Sequence, residues 1–319
     1  MRTIYKSNVV VCGGAGFIGS HLVDYLVDVK KCRVIVLDNL SAGFRKFIHP
    51  KADFFYCDIT HSEEHLLNIF KELKIDYVFN YVAEPYIPVS FARPLHVFDV
   101  NARGALMVIN AAHLAGVKGI LQISSAEIYG DVAGKIKETD PACPRSSYGV
   151  SKLAIDGLVQ SRWKEASTPA IILRQFNCYG NRETHPYVIP EIINQLSKRS
   201  IIKLGNNSFR DFQYVGDAVR MAVELLEKGK LGEVYNMGSE TGIKIYDLAR
   251  LIARLMCIKN VKIIFDKKRE RPHEIWHLQS DNTKLYKTIC ARPVVEFEYG
   301  LANLIQYYKK NNNKFDYEI

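Results

Sequence analysis

Val11-Cys12-Gly13-Gly14-Ala15-Gly16-Phe17-Ile18-Gly19 joins two different kinds of sequence. Before it stands Asn8–Cys12, a short apolar run with strand character. After it comes 17–29, where apolar residues recur at helical spacing. A glycine turn between strand and helix is where a parallel α/β sheet receives a phosphate. Gly13 permits the tight turn, Gly16 lets the backbone approach a pyrophosphate, and Gly19 lets the helix lie close on the strand. Free N–H groups at the helix start meet the phosphate charge. Nineteen residues beyond Gly19, Asp38 closes a second apolar run, Arg33–Asp38. A carboxylate there binds both hydroxyls of a ribose and repels a 2′-phosphate, so the expected cofactor is NAD rather than NADP.

The alternation continues outward from this loop. Strand-like runs at 54–57, 77–81, 120–124 and 170–176 alternate with helical spacing at 63–73, 95–115 and 148–164. Short apolar strands separated by helices mean βαβ units and a parallel sheet buried on both faces. The expected fold class is therefore α/β, a Rossmann-type doubly wound sheet over residues 1–175. After about residue 180 the rhythm changes. Helices at 186–197, 216–226 and 246–256, strands at Ile201–Leu204 and 233–237, and a closing helix at 301–308 outline a smaller C-terminal substrate-binding domain, 176–319. Strand 233–237 is a candidate to return to the large sheet, and the polar tail 309–319 is expected to fray.

Composition narrows the function. The chain has 319 residues, 48% of them hydrophobic and 24% charged, enough for a sizeable core without staples. No apolar run reaches the eighteen or so residues of a membrane helix, and the amino terminus lacks a signal-peptide core. Seven cysteines, with no C-x-x-C pair, point to a reducing, cytoplasmic setting. The net charge of +9 is scattered; its densest cluster is Lys267-Lys268-Arg269-Glu270-Arg271, broken by a glutamate. With no zinc-finger spacing or RNA-binding aromatics beside it, this charge suits an anionic small molecule better than nucleic acid.

Tyr148-Gly149-Val150-Ser151-Lys152 sets a phenol and an ammonium four residues apart, on one helix face. An unperturbed tyrosine is a poor base at neutral pH. A lysine one turn away, with a positive nicotinamide ring, favours the phenolate and is expected to lower its pKa. Tyr148 then takes a proton from a sugar hydroxyl while hydride leaves the same carbon. Ser125, at the end of the fourth long strand, supplies a second hydrogen bond to that hydroxyl.

Taken together, these motifs resemble the extended short-chain dehydrogenase/reductases, in their nucleotide-sugar epimerase/dehydratase branch. The resemblance covers nearly the whole chain. It rests on GGAGFIG at 13–19, DNLSAG at 38–43, the block 94–104 with Asn101, SSAEIYG at 124–130, PRSSYGVSK at 144–152, RQFNCYGNR at 174–182 and RDFQYVGDAV at 210–219. It implies that NAD stays bound through the cycle and that the sugar is oxidised, usually at C4. It also implies a homodimer packed through helices near 97–115 and 148–164. By the same likeness, Ser125, Tyr148 and Lys152 are the catalytic triad. Gly13, Gly16, Phe17, Ile18, Gly19, Asp38, Asn39, Asp58 and Ile59, together with Tyr148 and Lys152, contact the cofactor, and Asn101 is a structural asparagine. Asn177, Arg210 and Arg271 hold the nucleotide diphosphate.

Some positions depart from the family pattern. Glu127 stands where 4,6-dehydratases and decarboxylating members have the glutamate that removes the C5 proton. The preceding position, an acid in many dehydratases, is Ala126, whose methyl group cannot protonate a leaving hydroxyl. Pro85 replaces a cofactor-facing lysine of some epimerases. C4 epimerisation, 4,6-dehydration, simple C4 dehydrogenation and decarboxylation all remain open on these residues. Arg210 has a competing reading as a surface ion-pair partner of Asp211. Two remoter readings are a zinc peptidase, through His273-Glu274-Ile275-Trp276-His277, and a non-catalytic NAD sensor. The first needs both imidazoles on a helix. The second is disfavoured by the complete triad, and no metal is expected.

Overall fold

A computed structural model describes residues 2–317. Its large sheet uses β1 (Asn8–Cys12), β2 (Arg33–Asp38), β3 (Asp53–Tyr56), β4 (Tyr77–Asn80), β5 (Gly119–Ser125), β6 (Ala170–Gln175) and β10 (Val234–Met237). The order is β10-β6-β5-β4-β1-β2-β3, every pair parallel. Side chains alternate across the strands. Val9 and Val11 enter one core with α1 (Phe17–Asp28) and α8 (Val215–Lys228). Val10 and Cys12 enter the other, with α2 (Glu63–Glu72), α5 (Ala105–Leu114) and α6 (Ser147–Ala166). Because both faces are covered, the strands read as unbroken apolar runs.

Strand order reverses between β1 and β4, so both carboxyl ends open on one crevice, the usual ligand position in such sheets. Short helices α3 (Ile87–Ala92) and α4 (Pro94–Phe98) border it. The stretch 95–115 is not one α-helix: a π-helical turn, Asp99–Gly104, separates α4 from α5. Such turns often mark functional positions, and this one carries Asn101.

The second body contains β7 (Asn177–Tyr179), α7 (Val188–Lys198), β8 (Ile201–Leu204), β9 (Phe209–Tyr214), β11 (Gly242–Lys244), α9 (Ile245–Leu255), β12 (Lys262–Phe265), β13 (His277–Leu278) and α11 (Phe297–Lys310). Its core gathers Ile189, Ile193, Leu248, Ile252, Leu301 and Leu304. The chain crosses between the bodies more than once. α8 packs on α1, β10 pairs with β6, and α10 (Thr283–Thr288) lies against β10. β9 is not legible as a strand because its buried positions include Arg210, Asp211 and Gln213. The tail is not frayed over the described residues. Phe315 is buried beside Tyr308, and Asp316 pairs with Lys46 at 2.6 Å, since burying one more ring outweighs ordering a few polar residues.

Candidate active site

The carboxyl ends of the large sheet open on a cavity of about 800 Å³ lined by residues of both bodies. At its floor, Gly13 has φ +78, and a side chain there would meet the backbone of Tyr81 and Val82 at 2.9 Å. Gly16 caps α1 with no side-chain hydrogen bond, leaving the first N–H groups of the helix to a ligand. The carboxylate of Asp38 accepts from Ala15 N at 3.0 Å and Leu40 N at 2.8 Å, which aims it across the glycine loop. Two lone-pair positions remain for ribose hydroxyls. Asn39 Nδ2 donates to Asp58 Oδ2 at 3.0 Å, while Thr60 N and Oγ1 donate to Asp58 Oδ1 at 2.9 and 2.7 Å. Phe17, Ile18, Gly19 and Ile59 line the same cavity. An uncapped helix start, a close-approach loop and a positioned carboxylate fit a dinucleotide.

The reactive end lies where β5 meets α6. Ser125 ends β5 and opens a single turn, Ala126–Ile128, its Oγ accepting from Glu127 N at 3.2 Å. Ser146 caps α6 through Gly149 N at 3.0 Å, which brings Tyr148 into the first turn, facing Ser125. Lys152 Nζ lies 5.9 Å from the Tyr148 ring centre and donates to Ile123 O at 3.4 Å. Burial pushes the Tyr148 phenol upward; Ser125 opposes that shift, while Glu127 and Glu84 add to it. The expected lowering includes the charge of a nicotinamide ring; the protein groups by themselves shift the phenol the other way. Loss of solvent dominates, and Lys152 turns its head group to a carbonyl. Burial also lowers Lys152, to about 8, against the pull of Asp156. Asn101 Oδ1 accepts from Glu84 N at 2.8 Å, and its Nδ2 donates to Ser151 Oγ at 3.1 Å, tying the loop after β4 to α6.

The remaining expected residues come from the second body. On the cavity wall Asn177 presents a buried Oδ1 that has no hydrogen-bond partner among the described residues. Arg210 pairs not with Asp211 but with Glu274, at 2.7 Å, and Glu274 also accepts from Asn206 Nδ2 at 2.6 Å. Neighbouring strand residues face opposite ways. Asp211 points to the far side, where it accepts from the hydroxyls of Ser239 and Ser280, each at 2.6 Å. Glu127 lies among Arg210, Arg271 and Glu274; burial raises its carboxyl, and both arginines oppose the rise. Lys268, Arg269 and Arg271 of the basic cluster line the cavity.

His273 and His277 are not on a helix. His273 has a left-handed φ of +54 just after Pro272, and His277 lies in β13 stacked 4.7 Å from Phe209. No metal-binding group of three or more His, Cys, Asp or Glu occurs among the described residues. The peptidase reading fails because Pro272 and the left-handed turn stop a helix from forming.

Several cavity residues carry no local motif. Glu84, Tyr86, Glu183, His185 and Tyr187 come together from the loops after β4 and β7. Tyr86 stacks on His185 with ring centres 5.5 Å apart. Burial raises the Glu183 carboxyl to about 8, against the hydrogen bond it accepts from Gly180 N at 3.2 Å.

This arrangement has relatives. The sequence pattern of the NAD dependent epimerase/dehydratase family matches residues 9–238. The chain belongs to that family. It is 30% identical to human dTDP-D-glucose 4,6-dehydratase over 320 aligned positions, covering 96% of this chain and 91% of the relative. It is 32% identical to the UDP-glucose 4-epimerase of Lacticaseibacillus casei, covering 76% of this chain and 81% of that one. Among solved structures, UDP-glucose 4-epimerase of Thermotoga maritima, with UDP-glucose, superposes with a TM-score of 0.90 at 28% identity, covering 96% of this chain and 99% of that one. The dTDP-glucose 4,6-dehydratase of Streptomyces venezuelae, with NAD bound, gives 0.89 at 26%, covering 96% and 98%. Members of this family are NAD-dependent enzymes of nucleotide sugars, and both epimerases and dehydratases are among its relatives.

Proposed function

We propose that this protein oxidises C4 of a nucleotide-diphosphate sugar and restores the hydrogen after the sugar has turned, giving 4-epimerisation. The observation that carries this reading is the meeting of Ser125, Tyr148 and Lys152 in one cavity with the glycine loop at one end and Arg210 and Arg271 at the other. NAD, when bound, accepts the C4 hydrogen with its electron pair. Ser125 Oγ and Tyr148 Oη hold the C4 hydroxyl, and Tyr148 Oη takes its proton. Lys152, through its positive charge, stabilises the phenolate that accepts this proton. Asn177, Arg210 and Arg271 receive the diphosphate, where guanidinium forks match phosphate oxygens. Epimerisation asks for no further acid. The same groups then serve in reverse on the other face of a swung ketone.

A second reading, 4,6-dehydration, is favoured by Glu127. Its carboxyl borders the cavity beside Tyr148 and is held among Arg210, Arg271 and Glu274. There it can take the C5 proton that a C4 ketone makes acidic. Against this reading, Ala126 offers only a methyl group. Mass spectrometry after incubation with UDP-, dTDP-, GDP- and CDP-sugars separates the two. An unchanged mass with a new chromatographic peak is the expected result. A product lighter by one water establishes dehydration with Glu127 as its base, and loss of two hydrogens or of carbon dioxide replaces both readings. No change with any of the four sinks the proposal.

The same reading includes a homodimer in a cytoplasmic setting. Leu95 (86% exposed), Phe98, Leu114 and Val150 are apolar yet solvent-facing, and all lie on α4, α5 and α6. All seven cysteines are free. Sedimentation at twice the chain mass is expected, falling to one chain mass in Leu95→Glu/Phe98→Glu; a monomeric wild type refutes the dimer.

A further inference from the structure

Lys152 is 1% exposed, and a buried ammonium needs a counter-charge. On the same face of α6, one turn further along, stands a carboxylate, Asp156, 2% exposed. Asp156 is itself clamped. Its Oδ2 accepts from Arg174 Nε at 2.8 Å, Arg174 Nη1 donates to Tyr129 Oη at 2.7 Å, and Tyr129 donates to Asn236 Oδ1 at 2.7 Å. Asn236 is anchored in turn, its Nδ2 donating to Ile136 O at 2.9 Å and its backbone N–H to Glu138 at 2.8 Å. Arg174 belongs to β6, Asn236 to β10, and Tyr129 follows the turn that carries Ser125 and Glu127. One chain of buried bonds thus joins the helix of Tyr148 and Lys152 to the turn of Ser125 and Glu127.

We infer that Asp156 is a positioning residue for the reaction: held by Arg174, it supplies the counter-charge that keeps Lys152 an ammonium beside Tyr148. The inference rests on the proposed roles of Tyr148 and Lys152. Burial raises the Asp156 carboxyl itself, and Arg174, Ser124 and Lys152 oppose that rise. Arg174, from β6, faces Asp156. Glu127, from the turn after β5, and Glu84, from the loop after β4, act on Tyr148, and Glu84 has His96 of α4 within 4.0 Å. Burial alone drives Lys152 toward its neutral form, with Asp156 opposing it. Without that carboxylate the ammonium gives up its proton at lower pH.

NMR titration of protein labelled at lysine Cε tests this directly, with the Lys152 signal identified by its loss in Lys152→Arg. In Asp156→Asn the Lys152 midpoint is expected to fall by about one pH unit or more, the usual effect of losing a close opposite charge. The alkaline limb of kcat moves down with it, about fivefold lower or more at pH 8 and little changed at pH 6. KM stays constant, and Asp156→Glu restores the profile. Because Asp156→Asn leaves Arg174 uncompensated and destabilises the chain, Asp156→Asn/Arg174→Met removes both charges and is expected to lower the midpoint by a smaller amount, since a cation leaves with the carboxylate. An unchanged midpoint in either variant overturns the inference. The titration needs no substrate, so a wild type without turnover would count against the proposed function and leave this test intact.

Discussion

Tyr148→Phe is expected to lower kcat at least a hundredfold, about 2.7 kcal/mol of activation free energy, while the purified protein keeps its NAD. The substitution removes one oxygen and leaves the ring, so packing in this buried position changes little. What disappears is the group placed to take the C4 proton. Ser125 remains but has no base behind it, and Lys152 loses the phenolate its charge would stabilise. The glycine loop and Asp38 lie at the other end of the cavity and are untouched. Turnover and the nucleotide released on denaturation are the two readouts. Near-normal turnover would remove Tyr148 from its role, and lost NAD would mean the change had damaged the fold instead.

Gly19→Ala is expected to weaken NAD binding at least a hundredfold, roughly 2.7 kcal/mol. A Cβ at this position would lie 2.0 Å from Gly13 O and 2.8 Å from Gly13 C. Both are backbone atoms of the turn that must meet the pyrophosphate, so neither can swing aside as a flexible side chain would. Either α1 moves off β1 or the turn moves toward the ligand; both spoil the aim of the free N–H groups. The measurement is the NAD content of purified protein together with the rise in Tm on adding NAD. A variant with wild-type NAD content would show that the helix does not need this close approach.

The parts of the site legible in the sequence share one property: each is local. Gly13, Gly16 and Gly19 sit within one strand–turn–helix unit, and Tyr148 and Lys152 within one helical turn. The residues that no motif marks meet only through distant segments. Arg210 and Glu274 are 64 positions apart, and Tyr86 and His185 come from loops of different bodies. Glu274 even lies inside a motif that points to zinc, because spacing alone does not reveal that Pro272 and a left-handed His273 deny it a helix. Glu183 offers no signal at all, being one carboxylate in an irregular loop.

The sequence by itself determined the βαβ order, the alternating apolar runs, the glycine loop with Asp38 and the Tyr–Lys spacing. These follow from backbone sterics and periodicity acting over a few residues. Only the tertiary structure decided the partner of Arg210, the docking of Phe315 and the return of β10 to the large sheet. It alone decided the direction in which Tyr148 and Lys152 are shifted. Those outcomes depend on which surfaces lose water together, and desolvation is a property of the assembled chain that no local stretch carries.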